Sequence, residues 1–296
     1  MRSHKLLVLW PLIMKDLIRI GTRGSKLALW QANWVKSALL EKFPALSVDL
    51  VTIKTKGDKI LDVPLAGVGG KGLFVKEIEE ALLQGRVDLA VHSMKDMPAD
   101  LPVGLRIGPV PERENPADVL ISKNELSFSR LPRGASIGTS SLRRAAQLRH
   151  ARPDLMIHPL RGNLDTRLRK LDSDEEGLDA IVLAAAGVKR LELEDRITEY
   201  LDYTIMLPAV GQGALCIEIR EKDADVEDKL TALNHPPTRA AVLGERAFLN
   251  RLEGSCQVPI AAHGKIADGQ FILQGLVADI DGQAIIRDTY GGPEGL

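Results

Sequence analysis

From Leu17 onward, short apolar runs alternate with amphipathic runs of helical period, and that alternation restricts the chain to βαβ units around mostly parallel sheets. The first series reads as a strand over 17–21, a helix over 25–43 capped by Ser25, a strand over 47–54, a helix over 72–84 and a buried strand over 87–92. Pro109, Pro111 and Pro116 interrupt the pattern. A second series follows, with strands over 136–138, 155–159 and 179–185 and helices over 142–150 and 163–171. The segment 207–213 reads as a hinge, and the apolar run 214–220 as a strand able to return to the first sheet. Beyond His235-Pro236-Pro237, a helix over 238–252 and strands over 261–267, 270–279 and 283–290 make a small α+β unit. The expected class is α/β: two doubly wound lobes, 15–112 with 212–231 and 117–207, then a C-terminal α+β domain over 236–296.

Lysine and arginine number 39 against 40 for aspartate and glutamate, a balance that disfavours a nucleic-acid binder held by counterion release. The arginines that follow the strand-like runs therefore call for a small acidic partner. Two cysteines and six scattered histidines lack disulfide-framework or metal-ligand spacing, so no metal is expected and a reducing cytoplasm fits best. Residues 1–14 imitate the basic head and apolar stretch of a secretory signal, but they are too short to span a membrane and no small-x-small site follows. They read as an unprocessed extension, or as the product of an upstream start codon ahead of Met14, in a protein that does not engage the membrane.

Gly138-Thr139-Ser140-Ser141-Leu142-Arg143-Arg144 offers hydroxyls, free amides and two guanidinium groups at a helix start, where the dipole favours an anion. Arg23, Arg161 and Arg167 repeat the arrangement, with forks that grip carboxylates as lysine cannot. Solvated helix faces paired with acidic residues are the alternative for any one group. In Val91-His92-Ser93-Met94-Lys95-Asp96-Met97-Pro98, Asp96 falls at the carboxyl edge of a sheet, a place for stabilising a developing cation or moving a proton. Read alone, the segment favours an ordinary loop aspartate paired with Lys95, and His92 reads as a core histidine. The glycine-rich stretch 65–74 lacks the P-loop spacing and reads as a lid. There Lys71 can meet an acid, and Phe74 is open between stacking on a ring and filling a helix core. Cys216 reads as an inert buried thiol, whereas Cys256, in the turn Glu253-Gly254-Ser255-Cys256, reads as an exposed sulfur suited to a stable thioether.

Five runs in order, V-H-S-M-K-D-M-P, G-T-S-S-L-R-R, L-R-G-N-L-D-T-R, L-P-A-V-G-Q-G-A and E-G-S-C-Q-V-P, resemble the porphobilinogen deaminase (hydroxymethylbilane synthase) family over 17–290. The resemblance implies lobes like those of periplasmic binding proteins, and a transferase that joins four porphobilinogen units with loss of ammonia and frees hydroxymethylbilane by hydrolysis. It implies a dipyrromethane cofactor in thioether linkage to Cys256, and Asp96 as the catalytic carboxylate. Lys95, Thr139, Ser141, Arg143, Arg144, Arg167 and Arg190 would hold the cofactor's carboxylates, and Arg23, Ser25, Lys71, Phe74 and Arg161 the substrate. A monomer is expected, with lobes that shift about Gly211–Gly213. The chain differs from the family pattern in Gly67, where many members carry lysine, in its amino extension, and in stopping at Leu296, where relatives continue with a helix. The rival reading is a non-catalytic two-lobed anion- or solute-binding protein.

Overall fold

The computed structural model describes residues 17–59, 74–252 and 258–293. In the first lobe, β1 (Leu17–Thr22), α1 (Lys26–Lys42), β2 (Ser47–Thr52), α2 (Lys56–Lys59), α3 (Lys76–Leu83), β3 (Leu89–Ser93) and β4 (Leu105–Ile107) follow in order. The second lobe contains β5 (Asp118–Ser122), β6 (Ser136–Gly138), α4 (Leu142–Ala151), β7 (Met156–His158), α5 (Leu164–Asp172), β8 (Ala180–Ala184), α6 (Ala185–Arg190) and β9 (Glu199–Tyr200). Next come β10 (Leu215–Arg220), α7 (Ala224–Thr231) and α8 (Pro236–Arg251), and last β11 (Ile260–Ala267), β12 (Gln270–Ala278) and β13 (Ile285–Pro293).

Two five-stranded sheets have matching orders, β2-β1-β3-β10-β4 and β7-β6-β8-β5-β9. In each, parallel strands occupy one side and one strand enters antiparallel: β10, which follows the second lobe, beside β3 and β4, and β5, which opens the second lobe, beside β8 and β9. The run 214–220 does return to the first sheet, as its apolar pattern suggested. Central strands such as β3, β5 and β8 are buried on both faces, so they read as continuous apolar runs rather than alternating ones.

α1 starts where the Ser25 hydroxyl accepts from the Ala28 amide, and it lays Ala32, Val35 and Leu39 onto the sheet beside Ile18 and Ile20. α8 begins at Pro236, earlier than its apolar pattern indicates, because proline is tolerated in a first turn whose amides lack acceptors in any case. β5 was hidden in the sequence behind the proline-rich stretch.

The two lobes are joined by crossings near 109–117 and 207–214. These crossings are tightly packed. Gly213 has φ +88°, and a Cβ there would stand 2.3 Å from the Glu114 carbonyl oxygen, while Gly211 at φ +69° lies against Met94. Gly213→Ala should therefore destabilise the protein by about 2 kcal/mol or more, read as a lower midpoint in denaturant. An unchanged midpoint would mean that this crossing yields freely. The C-terminal unit secures the same place: buried Glu245 of α8 accepts from the Gly211 amide at 2.6 Å and the Gly264 amide of β11 at 2.7 Å, and it pairs with Arg113 of the first crossing.

Candidate active site

β3 delivers its last residues into a single 3-10 turn, Met94–Asp96. Met94 and Met97 are both buried, and the Met94 amide donates to the Ala214 carbonyl at 3.0 Å, so the turn is anchored on either side of Lys95 and Asp96. Asp96 is exposed, with no hydrogen bond or ion pair to another described residue. Lys95 is half-buried, and its Nζ lies 3.5 Å from Gln212 Oε1, long for a hydrogen bond. Burial pulls its ammonium down to about 8, with Arg144 pushing the same way and Asp96 and Asp118 opposing. The alternative in which Asp96 is simply paired off by Lys95 is not what the geometry shows.

In the second lobe, β6 ends at Gly138, and Ser141 caps α4 by accepting from the Arg144 amide at 3.4 Å. Buried Thr139 accepts from the Ser141 amide at 3.2 Å, which shapes the turn. Arg143 and Arg144 face inward, and they meet a residue that the sequence reading left out. Asp118, fully buried at the start of β5, accepts from Arg143 Nη1 at 2.7 Å and from Arg144 Nε at 2.8 Å. Arg143 also donates to the Leu207 carbonyl and Arg144 to that of Val182. These guanidinium groups thus have an internal partner and are not simply a free anion cradle. Burial raises the Asp118 carboxyl, but the two arginines outweigh it and hold the group at about 2. A lone aspartate opening the apolar run Asp118-Val119-Leu120-Ile121 was the available signal.

Arg161 follows β7 and Leu160, and Asn163 caps α5 by accepting from the Thr166 amide at 3.0 Å. Arg167 donates to the Gly162 carbonyl at 2.9 Å. Burial lowers its guanidinium to about 10, Arg144 and Arg161 add to the shift, and Asp96 from the other lobe opposes it. Arg190, at the end of α6, is buried, donates to the Gly213 carbonyl at 2.7 Å and lies 5.7 Å from the Trp30 ring centre. Burial brings it too to about 10. Arg23 stacks on Phe74 at 4.3 Å, so Phe74 meets a cation and is not solely a core residue. Ser25 serves as the cap of α1. An ion pair of 2.7 Å between Lys26 and Asp165 ties α1 to α5.

The structure therefore brings Lys95, Asp96, Arg143, Arg144, Arg161 and Arg167 within electrostatic reach of one another and of Asp118. Five cations stand against two carboxylates. Cations in that excess make the cleft favourable to an anion, and a molecule carrying several carboxylates suits it. Lys71 and Cys256 lie outside the described residues. Cys216 is buried on β10, where burial pushes its thiol well above the ordinary range and leaves it unreactive. Among the described residues, no group of three His, Cys, Asp or Glu side chains is arranged to hold a metal, and no helix is long and apolar enough to cross a membrane.

A family profile described as porphobilinogen deaminase, dipyromethane cofactor binding domain, matches residues 18–228, and one for the C-terminal domain of the same enzyme matches residues 239–294. A porphobilinogen deaminase of Pelobacter propionicus is 59% identical over 276 residues, 93% of this chain and 88% of that one. One from Moorella thermoacetica is 58% identical over 275 residues, 93% of this chain and 87% of that one. Among solved structures, the methionine binding protein MetQ aligns with a TM-score of 0.47 at 17% identity, over 81% of this chain and 96% of its own.

Proposed function

Because the chain belongs to the porphobilinogen deaminase family, we propose that the cleft around Asp96 joins porphobilinogen units head to tail on a dipyrromethane anchored at Cys256. The protein is a transferase, a hydroxymethylbilane synthase of tetrapyrrole biosynthesis. A non-catalytic solute-binding protein is not favoured. We further read it as a monomer working in the cytoplasm.

The excess of cations over carboxylates around Asp96 is the observation that carries the cofactor reading. Each pyrrole of this chemistry bears an acetate and a propionate. Lys95, Arg144, Arg167 and Arg190 are suited to hold the cofactor's carboxylates, and Thr139 and Ser141 to shape the turn that presents them. Arg143, already committed to Asp118 and Leu207, supports that turn from beneath. Arg23, Ser25, Phe74, Arg161 and, outside the described residues, Lys71 are assigned to the incoming substrate. When bound, the dipyrromethane supplies a primer whose electron-rich terminal carbon is the nucleophile.

Asp96 has the central role. When the C–N bond of the substrate's aminomethyl group breaks, both electrons leave with ammonia and the pyrrole becomes a cation. An exposed, unpaired carboxylate at the end of β3 can accept a hydrogen bond from the ring N–H and stabilise that charge. Arg167 opposite it, and Lys95 beside it, hold carboxylates while leaving the Asp96 charge uncancelled by any close ion pair. The proton released as the new bond restores aromaticity also has Asp96 as an acceptor within the cleft.

The anchor is tested by intact mass. The purified protein should exceed its sequence mass by two linked pyrroles, and Cys256→Ser should match its sequence mass. A wild-type protein without the excess, or a mutant that retains it, would refute the attachment.

A further inference from the structure

The face of the first sheet that packs against α3 buries ionisable groups for which the proposed reaction has no use. Glu218 of β10 is 0% exposed and Glu79 of α3 is 6% exposed. His92 of β3 lies with Nε2 3.2 Å from Glu218 Oε2. Glu218 Oε1 and Glu79 Oε1 are both buried with no hydrogen-bond donor. The other charged or titratable groups around them are Lys76 and Glu80 on α3, the Cys216 thiol on β10, and Arg246 on α8 with Asp100 beyond it. Arg246 directs Nη2 to the carbonyls of Pro98 and Ala99. Two carboxylates that share a desolvated site resist joint ionisation, and a proton is the donor that both orphaned oxygens lack. Burial, helped by Glu218 and then Glu80 and opposed by Lys76, pushes the Glu79 carboxyl up to about 7.

We infer that Glu79 carries a proton in the working enzyme, and that the Glu79–Glu218–His92 cluster is a positioning device that seats α3 on β3 and β10. β3 runs directly into the turn that bears Asp96, and α3 starts two residues after Phe74, which lies over Arg23. One buried proton thus acts on both ends of the site without touching substrate. Ionising Glu79 places a second negative charge beneath α3, loosening the helix and with it the Asp96 turn. The kinetic part of this inference rests on the deaminase reading, and the spectroscopic and stability parts stand without it.

Glu79→Gln keeps the shape of the acid and fixes it as neutral. Infrared spectra should show a buried carboxylic-acid band in wild type at pH 6 that is lost by about pH 8.5 and is absent from E79Q throughout. The folded protein binds this proton more tightly than the unfolded chain, so wild-type stability falls as pH rises from about 4.5 to about 7 and is level above that. E79Q lacks this fall, so wild type should lose roughly 5 °C in Tm relative to it across the window. The ratio of kcat for E79Q to kcat for wild type should rise several-fold through neutrality, with the KM ratio flat. Should E79Q fail to fold, E218Q provides the same test, because removing the neighbouring charge should move the wild-type band to lower pH. Absence of the band overturns the proton assignment, and a band with a flat kcat ratio overturns the positioning role. If band and Tm behave as stated in a protein with no deaminase turnover, the functional reading fails while the protonated cluster stands.

Discussion

Asp96→Asn is expected to lower turnover of porphobilinogen by about 100-fold or more while leaving the fold and the bound primer intact. Asparagine matches the carboxylate in size, so the loss isolates charge from shape. The pyrrole left by departing ammonia carries a full positive charge, and the donor set facing it is itself positive, so no other described group replaces the missing anion. Stability should change by less than about 0.5 kcal/mol, because Asp96 is exposed and supports no hydrogen bond of the scaffold. The measurements are kcat at saturating substrate, Tm, and intact mass. A variant working within about tenfold of wild type would remove Asp96 from the mechanism.

Asp118→Ala should have the largest effect on stability, costing about 3 to 5 kcal/mol in a denaturant titration, because it leaves Arg143 and Arg144 buried without their counter-charge. A cost below about 1 kcal/mol would show that the arginines find other partners or water. The pH dependence has a definite sign. Since the folded carboxyl is held at about 2, below its ordinary 3.8, its contribution is complete above the ordinary value and vanishes as pH falls through the folded one. Asp118→Asn should remove that acid limb and retain part of the hydrogen bonding.

The alternation of strands and helices and the turn bearing Asp96 were legible because their signals are local. The Ser25 and Asn163 caps, the apolar run before Asp96 and the glycine at the end of β6 each announce an element over a few residues. What was not legible is what residues far apart do to each other. Arg143 and Arg144 read as free anion ligands until β5, hidden behind Pro109, Pro111 and Pro116, brought Asp118 beneath them, 25 residues from Arg143. Arg190 lies over Trp30 from the opposite lobe, and Gln212 bridges Lys95 and the Pro116 carbonyl, pairings that no spacing along the chain encodes. His92 was legible as a core residue. Its partner Glu218 was not, because an acidic residue within an apolar run gives no sign of which neighbour it will face.

The side chain of Glu245 links the fates of parts that otherwise seem independent. Cys256 falls in the stretch between α8 and β11, and both flanking elements are fastened to the backbone of Gly211 through this one carboxylate. A rotation of one lobe against the other would therefore act on α8 and β11 together, through the single contact at Gly211.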